Sequence, residues 1–165
     1  MKIALLMILT AFSLPALAQR TNSKAFGMMI DALISESVPV ITCTELKQMP
    51  QAIRLDARER KEFDVSHLPG ARWIGYDNFD LKRVADLPKT APLVIYCSVG
   101  VRSEKVGEKL KAAGYTNVQN LYGSLFEWVN QGNPVVDSTG RPTQRVHAYS
   151  RTWGIWLKRG EKIYE

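Results

Sequence analysis

The 165-residue chain is poor in several things, and each shortage excludes a class of protein. Two cysteines, Cys43 and Cys97, are too few for the disulfide framework of a small secreted scaffold. A single bridge between them is compatible with an oxidising compartment, and so is the reading preferred here, one structural thiol and one reactive thiol. Two histidines, His67 and His147, stand far apart and away from the cysteines, so the clustered ligands of a usual zinc site are missing and neither metal nor cofactor is expected. The formal net charge of +6 is modest, and basic residues are interleaved with acidic ones rather than gathered in a block, so nucleic acid is not an expected partner. No internal repeat is visible.

What the N-terminus does have is Lys2, an apolar run from Ile3 to Leu14, and the small-residue end Ala16-Leu17-Ala18. That layout fits a cleaved signal peptide over 1–18, leaving Gln19 first. The run is shorter than the about 20 apolar residues of a membrane span. An uncleaved anchor is the alternative. The expected location is periplasmic or secreted, with no stable membrane insertion after cleavage. Residues 19–37 form a lead-in, 38–136 one domain, and 137–165 a basic extension in which Arg145, Arg151, Lys158, Arg159 and Lys162 alternate with Tyr149, Trp153 and Trp156. Such interleaving can stack on bases. The preferred explanation is that the tryptophans pack on the domain while the basic groups stay in water.

Between these ends, strand-like and helix-like segments alternate, which predicts an α/β fold. Val38–Thr42 reads as a strand, followed by a helix capped by Thr44 and ending before Pro50. Ala52–Asp56 and Ala71–Ile74 are further strands, and the charged stretch Asp77–Ala85 is a helix candidate. Leu93–Tyr96 is a continuous apolar run, the pattern of a strand buried on both faces of a parallel sheet. Ser103 is then the expected N-cap of a helix with Val106, Leu110 and Ala113 inward and Glu104, Lys105 and Glu108 outward, ended by Gly114. Gly107 inside it costs about 1 kcal/mol relative to Ala, which fits a helix lying close on a sheet. Asn117–Leu121 and a helix over Ser124–Asn130 complete the pattern.

Cys97 directly follows the strongest strand candidate, Leu93–Tyr96, and the carboxyl ends of strands are where ligands collect in open parallel sheets. Its loop leads into a helix N-terminus, whose unpaired N–H groups and positive dipole end stabilise an anion. With Arg102 nearby, the thiol is expected to ionise below the usual value of about 8.5 and to act as a nucleophile without a histidine. Gly100 suits a loop that turns its N–H groups inward. Taken alone, a cysteine at a strand end is more often an inert small hydrophobe.

The ordered set Thr42-Cys43-Thr44-Glu45-Leu46, Leu55-Asp56-Ala57-Arg58-Glu59, Ser66-His67-Leu68-Pro69-Gly70-Ala71, Cys97-Ser98-Val99-Gly100-Val101-Arg102-Ser103, Ala113-Gly114-Tyr115 and Asn120-Leu121-Tyr122-Gly123-Ser124 to Trp128 resembles the rhodanese-like domains. That resemblance implies a three-layer α/β fold with a central, mostly parallel five-stranded sheet flanked by helices. It also implies a sulfurtransferase in which Cys97 takes a sulfane sulfur from thiosulfate or a persulfide and passes it, as a Cys97 persulfide, to a thiophilic acceptor. Donors would be small sulfur-containing anions; acceptors a thiol, cyanide or a protein sulfur partner. The loop Ser98, Val99, Gly100, Val101, Arg102 and Ser103 would cradle the anion, with Arg102 orienting the donor or the loop. Asp56 and Arg58 would border the pocket, and a structural ion pair accounts for them equally well. His67 is taken as structural.

Three departures matter. Ser98 and Val99 are uncharged where many thiosulfate-using members carry a basic residue, which turns the expectation toward a persulfide or protein donor; Ser124 stands where many have a second glycine, and the chain runs on past Val136. Two other classes compete. A cysteine-dependent phosphatase or arsenate reductase would need a Cys-x5-Arg loop, whereas Arg102 closes a six-residue loop here. A non-enzymatic binding module of the same fold often lacks the cysteine.

Overall fold

The computed structural model describes residues 20–164, so the predicted signal peptide lies outside the described residues. Within them, a five-stranded parallel sheet has the order β1 (Val40–Ile41), β5 (Val118–Leu121), β4 (Leu93–Tyr96), β2 (Ile53–Asp56), β3 (Arg72–Trp73). The run Leu93–Tyr96 is therefore the central strand, buried at every position. Its side chains alternate between two cores: Val94 and Tyr96 join one, Leu93 and Ile95 the other.

On the first face lie α1 (Lys24–Asp31), α2 (Cys43–Lys47) and α5 (Ser124–Asn130), contributing Phe26, Ile30, Leu46, Leu125 and Phe126. On the second face lies α4 (Val101–Ala112), contributing Val106 and Leu110. A Cβ at Gly107 would stand 2.9 Å from Val38 Cγ2 and 3.3 Å from Ile95 Cδ1, so the glycine does mark close approach of helix to sheet. The remaining helix of this region, α3 (Arg60–Val65), follows β2.

Several sequence expectations shift. Thr42, not Thr44, caps α2, because Thr42 and Glu45 form a reciprocal pair that satisfies both N-terminal amides. Gly100, not Ser103, is the N-cap of α4; Ser103 sits inside the first turn and turns its hydroxyl toward the loop. Glu104 does not face outward: it is buried and accepts from the backbone N–H groups of Ser35 and Ser37. The stretch 77–85 holds only the single 3-10 turn Leu81–Val84, capped by Asp80.

The two flanking segments are more than a lead-in and a tail. Helix α1 buries Phe26 and Ile30. Beyond Val136, β6 (Val135–Val136) pairs with β7 (Pro142–Thr143), and β8 (Arg145–His147) pairs with β9 (Glu161–Ile163) around the one-turn α6 (Arg151–Gly154). Val146, Ala148 and Leu157 enter the first core, and Trp156 stacks on Phe26 at 5.6 Å between ring centroids. The basic residues Arg145, Arg151, Lys158, Arg159 and Lys162 stay exposed, as the packing explanation requires.

Candidate active site

Cys97 leaves the carboxyl end of β4 and its loop is fixed from three sides. Its N–H donates to Ser124 Oγ at 3.1 Å, while its carbonyl and that of Ser98 accept from the Leu125 and Phe126 amides, both at 3.1 Å. The open N-terminus of α5 thus satisfies the outward carbonyls of the loop. Asn120, on neighbouring β5, donates from Nδ2 to the Gly100 carbonyl at 2.9 Å and accepts from the Ser103 hydroxyl at 2.7 Å. Gly100 takes φ +122°, a conformation that L side chains rarely adopt, and this turns its N–H onto Cys97 Sγ at 3.2 Å.

The Ser103 hydroxyl lies 3.5 Å from the same sulfur. Its one proton is shared among Asn120 Oδ1 at 2.7 Å, the Gly100 carbonyl at 3.2 Å and the sulfur, and ionisation makes the sulfur the stronger competitor. Burial of Cys97 pushes its pKa up, but the Arg102 charge, the Ser103 hydroxyl and the Gly100 N–H together outweigh it and hold the thiol below its ordinary value. Cys43 shows the opposite balance: burial, reinforced by the charge of Glu127, pushes it up to about 12. The two cysteines are unbridged.

Arg102 is itself anchored. Both its terminal nitrogens meet Glu62 of α3, at 2.7 and 2.8 Å, one also reaches Ser98 Oγ at 3.0 Å, and the guanidinium lies 4.9 Å from the Tyr149 ring centre. Against the cost of its own burial, the Arg102 hydrogen bonds and charge pull Glu62 down to about 2. The carboxylate therefore stays charged and holds the arginine toward the loop.

A cavity of about 190 Å³ opens over the sulfur, lined by Leu33, Cys97, Ser98, Val99, Val101, Arg102, Tyr149 and Trp153. The structure thus gathers the predicted loop residues in one place, with Gly100 and Ser103 supporting the sulfur from behind. Asp56 and Arg58 do not border this cavity. They form a fully buried ion pair at 2.7 Å, and Arg58 also donates to the Ser66 carbonyl, tying the end of β2 to the end of α3. His67 stacks on Phe63 and contacts its carbonyl at 3.0 Å, a structural placement. Glu62, Asn120, Leu33, Tyr149 and Trp153 were not singled out as site residues by the sequence. Asn120, within a quoted motif, and Tyr149 and Trp153, within the basic-aromatic tail, gave some signal; Glu62 and Leu33 gave none. Ser124 has φ +51°, where glycine is favoured, and its hydroxyl bond to the Cys97 amide supplies the reason for a side chain there. Among the described residues no cluster of three His, Cys, Asp or Glu could hold a metal, and no helix is long and apolar enough to cross a membrane.

The geometry agrees with comparison to known proteins. The model of the rhodanese-like domain matches residues 42–131, more than half of the chain. A sulfurtransferase of Allochromatium vinosum is 29% identical over 112 residues, covering 68% of this chain and 100% of that protein. The probable adenylyltransferase/sulfurtransferase MoeZ of Mycobacterium tuberculosis is 28% identical over 129 residues, covering 74% of this chain. The chain spans only 33% of the length of MoeZ, and 27% of the tRNA uridine(34) hydroxylase of Erwinia tasmaniensis, which is 33% identical over 95 residues and 52% of this chain. Among solved structures, the rhodanese-like domain of the Anabaena Alr3790 protein superposes with a TM-score of 0.56 at 23% identity, over 61% of this chain and 80% of that one. Fold, matched span and sulfurtransferase relatives agree: the chain belongs to the rhodanese-like domain family.

Proposed function

We propose that the protein is a sulfurtransferase that carries a sulfane sulfur, taken from thiosulfate or a persulfide donor, as a persulfide on Cys97, and delivers it to a thiophilic acceptor such as a thiol or cyanide. The observation that carries this reading is the sulfur itself. Cys97 lines a cavity, and its Sγ receives the Gly100 N–H and sits beside the Ser103 hydroxyl and the Arg102 charge. These groups stabilise the thiolate that attacks the donor sulfur and the persulfide anion that replaces it, so neither state is left uncompensated. Arg102, clamped by Glu62, acts mainly by orienting the loop and by its field.

The test is thiocyanate production from cyanide with thiosulfate or a low-molecular-weight persulfide, by the wild type and by Cys97→Ser. Turnover that disappears in the variant supports the reading. Turnover that survives it, or none from either donor with a folded protein and a reduced thiol, rejects it.

The N-terminal pattern supports a periplasmic or secreted site of action, which mass determination of the exported protein tests. A chain starting at Gln19 is expected, and a retained 1–18 would contradict cleavage.

A further inference from the structure

The walls of the cavity over Cys97 come partly from outside the matched 42–131 span. Leu33 reaches it from the turn after α1, and Tyr149 and Trp153 from the C-terminal segment; with Val99 and Val101 they make the lining mainly apolar. Arg102 is the one cation among the described lining residues, and its charge is already matched by Glu62. An incoming dianion therefore finds no unpaired cation among the described lining residues, only Arg102 already held by Glu62, with apolar side chains around it. The cavity is also small, about 190 Å³, against roughly 300–1,000 Å³ for sites that hold drug-sized ligands.

Resting on the sulfur-transfer reading above, we propose that the site accepts sulfane sulfur from a small organic persulfide with an apolar body in preference to thiosulfate, and that Leu33, Tyr149 and Trp153 set that preference. The Cys97 thiolate attacks the outer sulfur of R–S–S–H. A bond forms between Sγ and that sulfur as the donor's S–S bond breaks; the electron pair leaves on the inner sulfur, which takes up the proton released from the outer one. The products are R–SH and the Cys97 persulfide anion. One S–S bond replaces another, so no oxidant or reductant is consumed. The apolar R group is left against Leu33 and Trp153, where its removal from water favours binding.

The experiment measures the rate of sulfur loading on Cys97 by mass spectrometry with benzyl persulfide, glutathione persulfide and thiosulfate. Each rate is divided by that donor's rate with a free small-molecule thiol, which removes intrinsic reactivity. The expected result is a normalised preference for benzyl persulfide of about tenfold or more over thiosulfate, the discrimination a site gains when a competitor's charge finds no partner. Leu33 and Tyr149 are 44% and 49% exposed, so Leu33→Lys and Tyr149→Asn change the mouth without opening the core. Each should shrink that preference several-fold. Equal or faster normalised loading by thiosulfate or glutathione persulfide, or a preference unmoved by both variants, would overturn the inference while leaving sulfur transfer intact. Absence of loading from all three donors would remove the sulfur-transfer reading, and this one with it.

Discussion

Arg102 and Cys97 are six-residue-loop partners whose coupling is electrostatic, so charge and geometry can be separated by substitution. Arg102→Gln should move the midpoint of iodoacetamide alkylation of Cys97 against pH upward, because the main force holding the thiol down is gone. Arg102→Lys, which keeps the charge but loses the two-point grip on Glu62, should fall between the two. An unchanged midpoint in the glutamine variant would contradict this. Glu62 gives a pH prediction of its own. Its folded pKa is depressed, from 4.5 to about 2, so its contribution to stability is fully present above 4.5 and is lost as pH falls toward 2. Urea midpoints of Glu62→Gln should therefore change less between pH 4.5 and 2 than those of the wild type, although the variant is weaker at neutral pH because it leaves Arg102 without its buried partner. Cys97, Gly100 and Arg102 were legible in the sequence because loop, nucleophile and cation are contiguous. Glu62 was not, since its partner is 40 positions away and nothing local marks a carboxylate destined for burial.

At the scale of elements, the close contact of α4 with the sheet is a packing device that positions the loop. Gly107→Ala gains helix propensity of about 1 kcal/mol, but places a methyl group 2.9 Å from a buried Val38 that has nowhere to swing. The expected net result is a loss of about 1–2 kcal/mol, the usual cost of overpacking. Combining it with Val38→Ala should cost less than the sum of the single changes, a coupling that urea denaturation of the four proteins would show. Additive losses would mean that the helix yields elsewhere. The elements themselves were readable where one signal dominated: Leu93–Tyr96 and Ser124–Asn130 fall where periodicity and flanking turns put them. The cap at Thr42 was misplaced because Thr44 is an equally good capping side chain in sequence, and the cap at Gly100 was missed because a glycine at positive φ begins α4 with no capping side chain for the sequence to show. Asp77–Ala85 failed as a helix for want of an apolar stripe; Val84 alone is buried in its single turn.

The whole molecule differs from its matched span in that both ends of the described chain return to the site. Phe26 and Trp156 stack across the first core, and Leu33, Tyr149 and Trp153 meet over Cys97. A chain ending at Val136 should therefore lose the burial of Val146, Ala148 and Leu157 and the cover on the sulfur. Lower thermal stability and faster oxidation of Cys97 by peroxide are expected together. A truncated chain as stable and as slowly oxidised as the full one would show that the C-terminal segment is an appendage. The reading of this segment as tryptophans packed on the domain with basic groups in water holds for Trp156 against Phe26, but that Tyr149 and Trp153 also line the cavity over Cys97 follows only from the path of the chain.

The account rests most directly on one atom, and the most direct measurement is the mass of the intact protein after exposure to a sulfane-sulfur donor, followed by peptide mapping. The expected result is one added sulfur on the peptide containing Cys97, removed by a thiol acceptor, absent from Cys97→Ser and never found on Cys43. An adduct on Cys43, one that survives Cys97→Ser, or one that no acceptor removes would contradict Cys97 as the sulfur carrier.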